Sequence, residues 1–174
     1  MTPDLSALFV ARAGDYRAGV HRCAPAELPD LLAGLLAGAC GVVLPAGVPA
    51  DWTVGLGPPV LSGDTLTAAE LDAPGLAVLT GCALAVAETG TLVLDGGAAQ
   101  GRRLLTLLPD HHVCVVRAEQ IVADVPDLIR ALPDPTRPVT MISGPSATSD
   151  IELNRVEGVH GPRRLDIVCL PPPG

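Results

Sequence analysis

Lysine is absent from this chain: all 11 basic residues among its 174 are arginine. Chemistries that need an ε-amino group are therefore excluded. There is no Schiff-base lysine, no P-loop or kinase lysine, and no Ser–Lys dyad. A bound anion has to be held by arginine, by backbone N–H groups or by a helix N-terminus. Aromatic residues are almost as scarce, at 2% (Phe9, Tyr16 and Trp52), so a stacking platform for single-stranded nucleic acid is missing. Positive charge is also short: the formal net charge is −8, which argues against partners such as nucleic acid or an anionic membrane surface. No apolar run approaches the roughly 18 residues of a membrane helix, and Met1-Thr2-Pro3-Asp4 carries no basic leader. The five cysteines (Cys23, Cys40, Cys82, Cys114 and Cys169) include no C-x-x-C pair, so no zinc ribbon or ferredoxin cluster is written here. An odd number of well-spaced thiols, several inside apolar runs, reads as small buried hydrophobes in a reduced, cytoplasmic protein. No metal or other cofactor is expected on this chain.

Hydrophobic residues make up 48% of the chain, enough for a folded core of Leu, Val, Ala and Ile. The spacing predicts helices over 5–11, 26–39, 67–71, 102–108, 125–132 and 150–154. The clearest is 26–39, where Leu28, Leu31, Leu32, Leu35 and Leu36 recur at helical intervals. Short continuous apolar runs predict strands over 19–23, 41–45, 76–79, 91–94, 113–116, 139–142 and 165–170. The stretch 46–63 is rich in Gly and Pro and reads as loop. Strands without polar alternation, interspersed with helices, imply an α/β fold: a mostly parallel sheet covered by helices. One domain over 1–174 is expected, with a short arm over about 1–14 and a proline-rich tail over 171–174. Ligands of such sheets lie beyond the carboxyl ends of the strands, which points to the loops after Leu79, Leu94 and Ile142.

Three segments have the residue types for chemistry. In Ala87-Glu88-Thr89-Gly90-Thr91, Glu88 stands between apolar runs beside a glycine flanked by threonines. A carboxylate buried in such a place suits a nucleophile or general base, because burial raises a carboxyl toward neutrality. Thr89, Gly90 and Thr91 offer hydroxyl and backbone donors; the alternative is a plain polar turn. In Ile142-Ser143-Gly144-Pro145-Ser146, a strand runs into a loop, and Ser149 and Glu152 have capping-box spacing. The N-terminus of the helix over 150–154, with Ser143, Ser146 and Thr148 nearby, could then hold a carboxylate or phosphate, or merely be capped. The hydrolase elbow G-x-S-x-G fails here, because Thr148 stands where the last glycine belongs. In Gly158-Val159-His160-Gly161-Pro162-Arg163, His160 lies between small residues with Arg163 nearby, which suits acid–base work on a carboxylate or simply a turn. His111 and His112 are adjacent on a strand, point to opposite faces and make a poor chelate.

Taken in order and spacing, Ala-Glu-Thr-Gly-Thr at 87–91, Ile-Ser-Gly-Pro-Ser at 142–146 with Asp150-Ile151-Glu152, and Gly-Val-His-Gly-Pro at 158–162 resemble the LUD domain family, most closely its lactate utilization protein C branch. The resemblance is strong from about residue 76 to the end. It implies a fold like that of the sugar-phosphate isomerase and CoA-transferase group. It also implies a place in the oxidation of L-lactate to pyruvate beside iron–sulfur partner subunits, with the clusters on the partners. The expectation is an accessory subunit that binds a small carboxylate such as lactate or positions its partners. Glu88 and His160 would be the catalytic pair; Thr89, Gly90, Thr91, Ser143, Gly144, Ser146, Asp150 and Arg163 would bind substrate. The alternatives are a stand-alone acyl- or CoA-transferase-like enzyme using Glu88, and a regulatory module without chemistry.

Overall fold

The computed structural model describes residues 4–146 and 161–172. Six parallel strands form the main sheet: β1 (Gly19–Arg22), β2 (Gly41–Leu44), β3 (Val60–Ser62), β4 (Leu76–Thr80), β7 (His111–Arg117) and β10 (Arg164–Leu170), in the order β1-β10-β7-β4-β2-β3. The strands β4, β7 and β10 are apolar on both faces because both faces are covered.

One face is covered by α2 (Leu28–Leu36) and by a 3-10 turn carrying Trp52. Leu28, Leu32 and Leu36 recur every fourth residue and pack on Val42, Ala77, Leu79, Val113, Val115 and Val168. The helix begins where Glu27 turns back to accept the Ala24 N–H at 2.8 Å.

The opposite face meets a second sheet, of β5 (Leu84–Val86), β6 (Thr91–Leu94), β8 (Ile121–Val122) and β9 (Thr140–Ile142), ordered β8-β5-β6-β9. β6 runs antiparallel to both β5 and β9. Ala85, Ala87, Leu92 and Leu94 face Cys114, Val116, Leu165 and Ile167 of the main sheet, together with Phe9 and Ala13 of α1 (Leu5–Asp15). The outer side of the second sheet, Leu84, Val86 and Val93, is closed by Leu128 of α4 (Val125–Ala131). Beside it, α3 (Ala68–Leu71), capped by Thr67 and Glu70, helps cover Val43, Leu76 and Val78.

Four features depart from the sequence reading. The apolar strands fall into two sheets, because β5 and β6 are sandwiched between the main sheet and α4 and so show no alternation. The stretch 46–63 contains the edge strand β3. The segment read as a short arm forms its expected helix but packs it into the core, with Phe9 and Ala13 of α1 fully covered. The helix read over 102–108 is a 3-10 turn over Arg103–Thr106.

All five cysteines are free, with Cys82, Cys114 and Cys169 buried as expected. The Cys82 thiol donates to Gln120 Oε1 at 3.8 Å and the Cys114 thiol to the Gly81 carbonyl at 3.5 Å. The neighbouring Cys114 and burial push Cys82 well up, while Cys82 and His112 hold Cys114 down to about 5 against burial. Burial pushes Cys169 up to about 12. Among the described residues, no helix is long and apolar enough to cross a membrane.

Candidate functional site

The antiparallel turn of β5 into β6 carries the first motif to the amino-terminal edge of the main sheet. Gly90 has φ +62, and a Cβ there would lie 2.4 Å from the Ala13 nitrogen, so only glycine lets this turn close against α1. β9 then delivers the second motif to the same place. Gly144, at φ +77, approaches the Tyr16 carbonyl so closely that a Cβ would sit 2.4 Å from its oxygen. The third motif joins through Ser146, whose N–H donates to the Pro162 carbonyl at 2.9 Å. Gly161 lies against the Ser146 side chain.

A line of hydroxyls connects the first two motifs. Thr89 Oγ1 and Thr91 Oγ1 are 2.7 Å apart, and Thr91 Oγ1 is 2.8 Å from Ser143 Oγ. Thr89 is half-buried, Thr91 buried and Ser143 exposed, so the line passes through the buried Thr91 and opens to the surface at Ser143. Such a chain can hydrogen-bond a carboxylate at its outer end or pass a proton along it.

Other site residues fall differently from the expectation. Glu88 is exposed, not buried: it occupies the turn itself, where its N–H donates to the Ala123 carbonyl at 3.0 Å. Arg163 is exposed and lies 3.8 Å from Asp110, so its guanidinium already faces a carboxylate of this chain. Asp150 and His160 lie outside the described residues. The loops after Leu79 and Leu94 meet at the carboxyl edge of the main sheet, but the loop after Ile142 does not. β9 runs antiparallel to β6, with Thr140 beside Leu94, so its end emerges at the opposite edge.

Sequence reasoning missed a second cluster at the amino-terminal edge, on the face away from the hydroxyl line. Asp166 of β10 is buried, with Oδ1 2.7 Å from His21 Nε2 and Oδ2 2.7 Å from His111 Nε2. The Arg164 Nε lies 2.7 Å from Oδ2. Burial alone would raise this carboxyl, but the bonds from His111 and His21 and the Arg164 charge reverse that and hold it well below the usual carboxylate range. A sequence signal did exist: Asp166 is a lone acid inside the apolar strand Leu165–Leu170.

His112 points to the other face, as adjacent strand positions require, and is fully buried with Nε2 2.8 Å from Thr80 Oγ1. Replacing Thr80 by valine removes that partner while keeping the side-chain shape. A loss of about 1–3 kcal/mol is expected in urea unfolding, the cost of stranding a buried polar group.

A family model described as the LUD domain matches residues 75–170. Lactate utilization protein C of Deinococcus radiodurans is 52% identical over 167 residues, covering 93% of this chain and 77% of that protein. Lactate utilization protein C 1 of Bacillus mycoides is 33% identical over 94 residues, 50% of this chain but only 40% of that protein. The crystal structure of a DUF162 family protein from Deinococcus radiodurans superposes with a TM-score of 0.81 at 44% identity, covering 95% of this chain and 96% of that one.

Proposed function

The chain belongs to the LUD domain family, and from that premise we propose that it serves lactate utilization as an accessory subunit, without a cluster of its own. In this reading it binds a small carboxylate such as lactate at the hydroxyl line, and iron–sulfur partner proteins carry the electrons away. The observation that carries the reading is the contact of Thr91 with Ser143 at 2.8 Å, which joins two motifs 52 residues apart at one edge of the sheet. Thr89 and Thr91 orient one another, Ser143 presents the outermost hydroxyl, and the tight approach of Gly90 and Gly144 to α1 keeps the two turns in register. In this reading the hydroxyls hydrogen-bond the carboxylate and leave its charge in place.

The test is an anaerobic pull-down from cells grown on lactate, scored for brown partner proteins and for lactate-dependent dye reduction. The wild-type chain is expected to bring down both. The double variant Thr91→Val, Ser143→Ala is expected to keep the partners and to lose about tenfold or more in dye reduction, the loss expected for one hydrogen bond to a charged ligand. A solitary colourless protein, or undiminished reduction by the variant, overturns the reading.

A further inference from the structure

The opposite, carboxyl edge of the main sheet holds a second, separately built place. From β2 the chain winds outward to β3, and from β4 it winds the other way to β7, so the direction of winding reverses between β2 and β4. Open α/β sheets form their ligand crevices at such a reversal.

The loop after β6 is fastened across that gap. The Ala99 N–H donates to the Ala46 carbonyl beyond β2 at 2.9 Å, and the Ala99 carbonyl accepts the Gly81 N–H beyond β4 at 2.8 Å. The two bonds hold Ala99 at φ +61, a left-handed conformation unusual for a residue with a side chain, and such strain concentrates at functional loops. Within the loop, Asp95 Oδ1 accepts the Gly97 N–H at 2.9 Å and Gln100 Oε1 accepts the Asp95 N–H at 2.7 Å. Both side chains are buried, so the loop is preformed.

The result is an open cavity of about 600 Å³, lined among others by Asp64, Asp95, Gly96, Ala98, Gln100 and Arg103. Among the described residues, the Arg103 guanidinium and the N–H groups of Gly96 and Ala98 donate to nothing. Unspent donors thus stand beside carboxylates in one crevice.

We infer that this crevice binds a hydroxylated organic anion larger than a three-carbon acid. Arg103 and the Gly96 and Ala98 N–H groups take the anionic head, and Asp95 and Asp64 accept hydrogen bonds from the hydroxyls. The volume falls within the roughly 300–1,000 Å³ of small-molecule sites. The inference is independent of the reading above, since it concerns the other edge of the sheet.

Calorimetric titration with glucose 6-phosphate, gluconate and glucose tests it. At least one of the two anions is expected to bind with a submillimolar Kd, and which one identifies the head as phosphate or carboxylate; glucose is expected not to bind. Arg103→Ala and Asp95→Asn are each expected to weaken that binding about tenfold, Arg103 being exposed and dispensable for packing. The Thr91→Val, Ser143→Ala variant is expected to leave it unchanged, which separates this site from the hydroxyl line. No binding of either anion at millimolar concentration, an unchanged Kd in Arg103→Ala, or inorganic phosphate binding as tightly as the sugar anions overturns the inference.

Discussion

Asp166→Ala is expected to cost about 1–3 kcal/mol of folding stability, the range for leaving buried polar groups without their hydrogen-bond partner. The substitution leaves His21, His111 and Arg164 facing one another without the carboxylate that binds all three. The pH dependence identifies the cause. A carboxyl held below its unfolded value of about 4 stabilises the fold fully above that pH, and the stabilisation fades as pH falls toward the folded value. Urea unfolding followed from neutral pH into acid should therefore show wild-type stability declining below about pH 4. The decline should be shallower in Asp166→Ala. Parallel pH profiles for the two proteins would mean that the cluster does not set acid stability.

Gly90→Ala is the second large effect. Two costs add at this position. The left-handed backbone costs any residue with a Cβ about 1–2 kcal/mol. The new methyl would also stand 2.4 Å from the Ala13 nitrogen and 2.6 Å from the Arg12 carbonyl carbon, which are helix backbone and not a side chain that can swing away. A total of about 3 kcal/mol or more is expected, read as a lower Tm, because overpacking adds roughly 1–3 kcal/mol. Gly34→Ala serves as the control. It lies on the exposed side of α2 with nothing within 4 Å of a new Cβ, so alanine there should stabilise by about 0.5–1 kcal/mol. Equal melting temperatures for the two variants would remove the close approach of the β5–β6 turn to α1 as an explanation for the glycine.

Which parts of this fold were legible follows from where the relevant forces act. β4, β7 and β10 are buried on both sides and announce themselves as largely apolar runs, broken in β10 by Asp166. α2 is visible in its leucine spacing, and the opposite facing of His111 and His112 follows from strand geometry alone. The edge strand β3 was hidden, since Val60 and Ser62 are exposed and glycines and prolines surround them. The division into two sheets was hidden for another reason: a strand covered on both faces reads the same whichever sheet it joins. That ambiguity also misplaced one loop, because the direction of β9 decides at which edge the residues after Ile142 emerge. The three motifs were recognisable as local patterns, and Thr91 and Ser143 do meet. The exposure of Glu88 and the pairing of Arg163 with Asp110 depend on turn direction and on a distant strand. The Asp166 cluster is more remote still, with partners on three separate strands.

The strand order also bears on how the chain assembles. β1 lies at an edge of the main sheet and its neighbour there is β10, so the bond between His21 and Asp166 spans 145 positions. During synthesis β1 emerges well before its hydrogen-bonding partner, which lies 145 positions further on. Closing so long a loop costs entropy before any contact repays it, and non-local parallel pairing is slow. The nascent chain therefore carries β1 without its neighbour until β10 leaves the ribosome, a period in which exposed strand edges invite association with other chains.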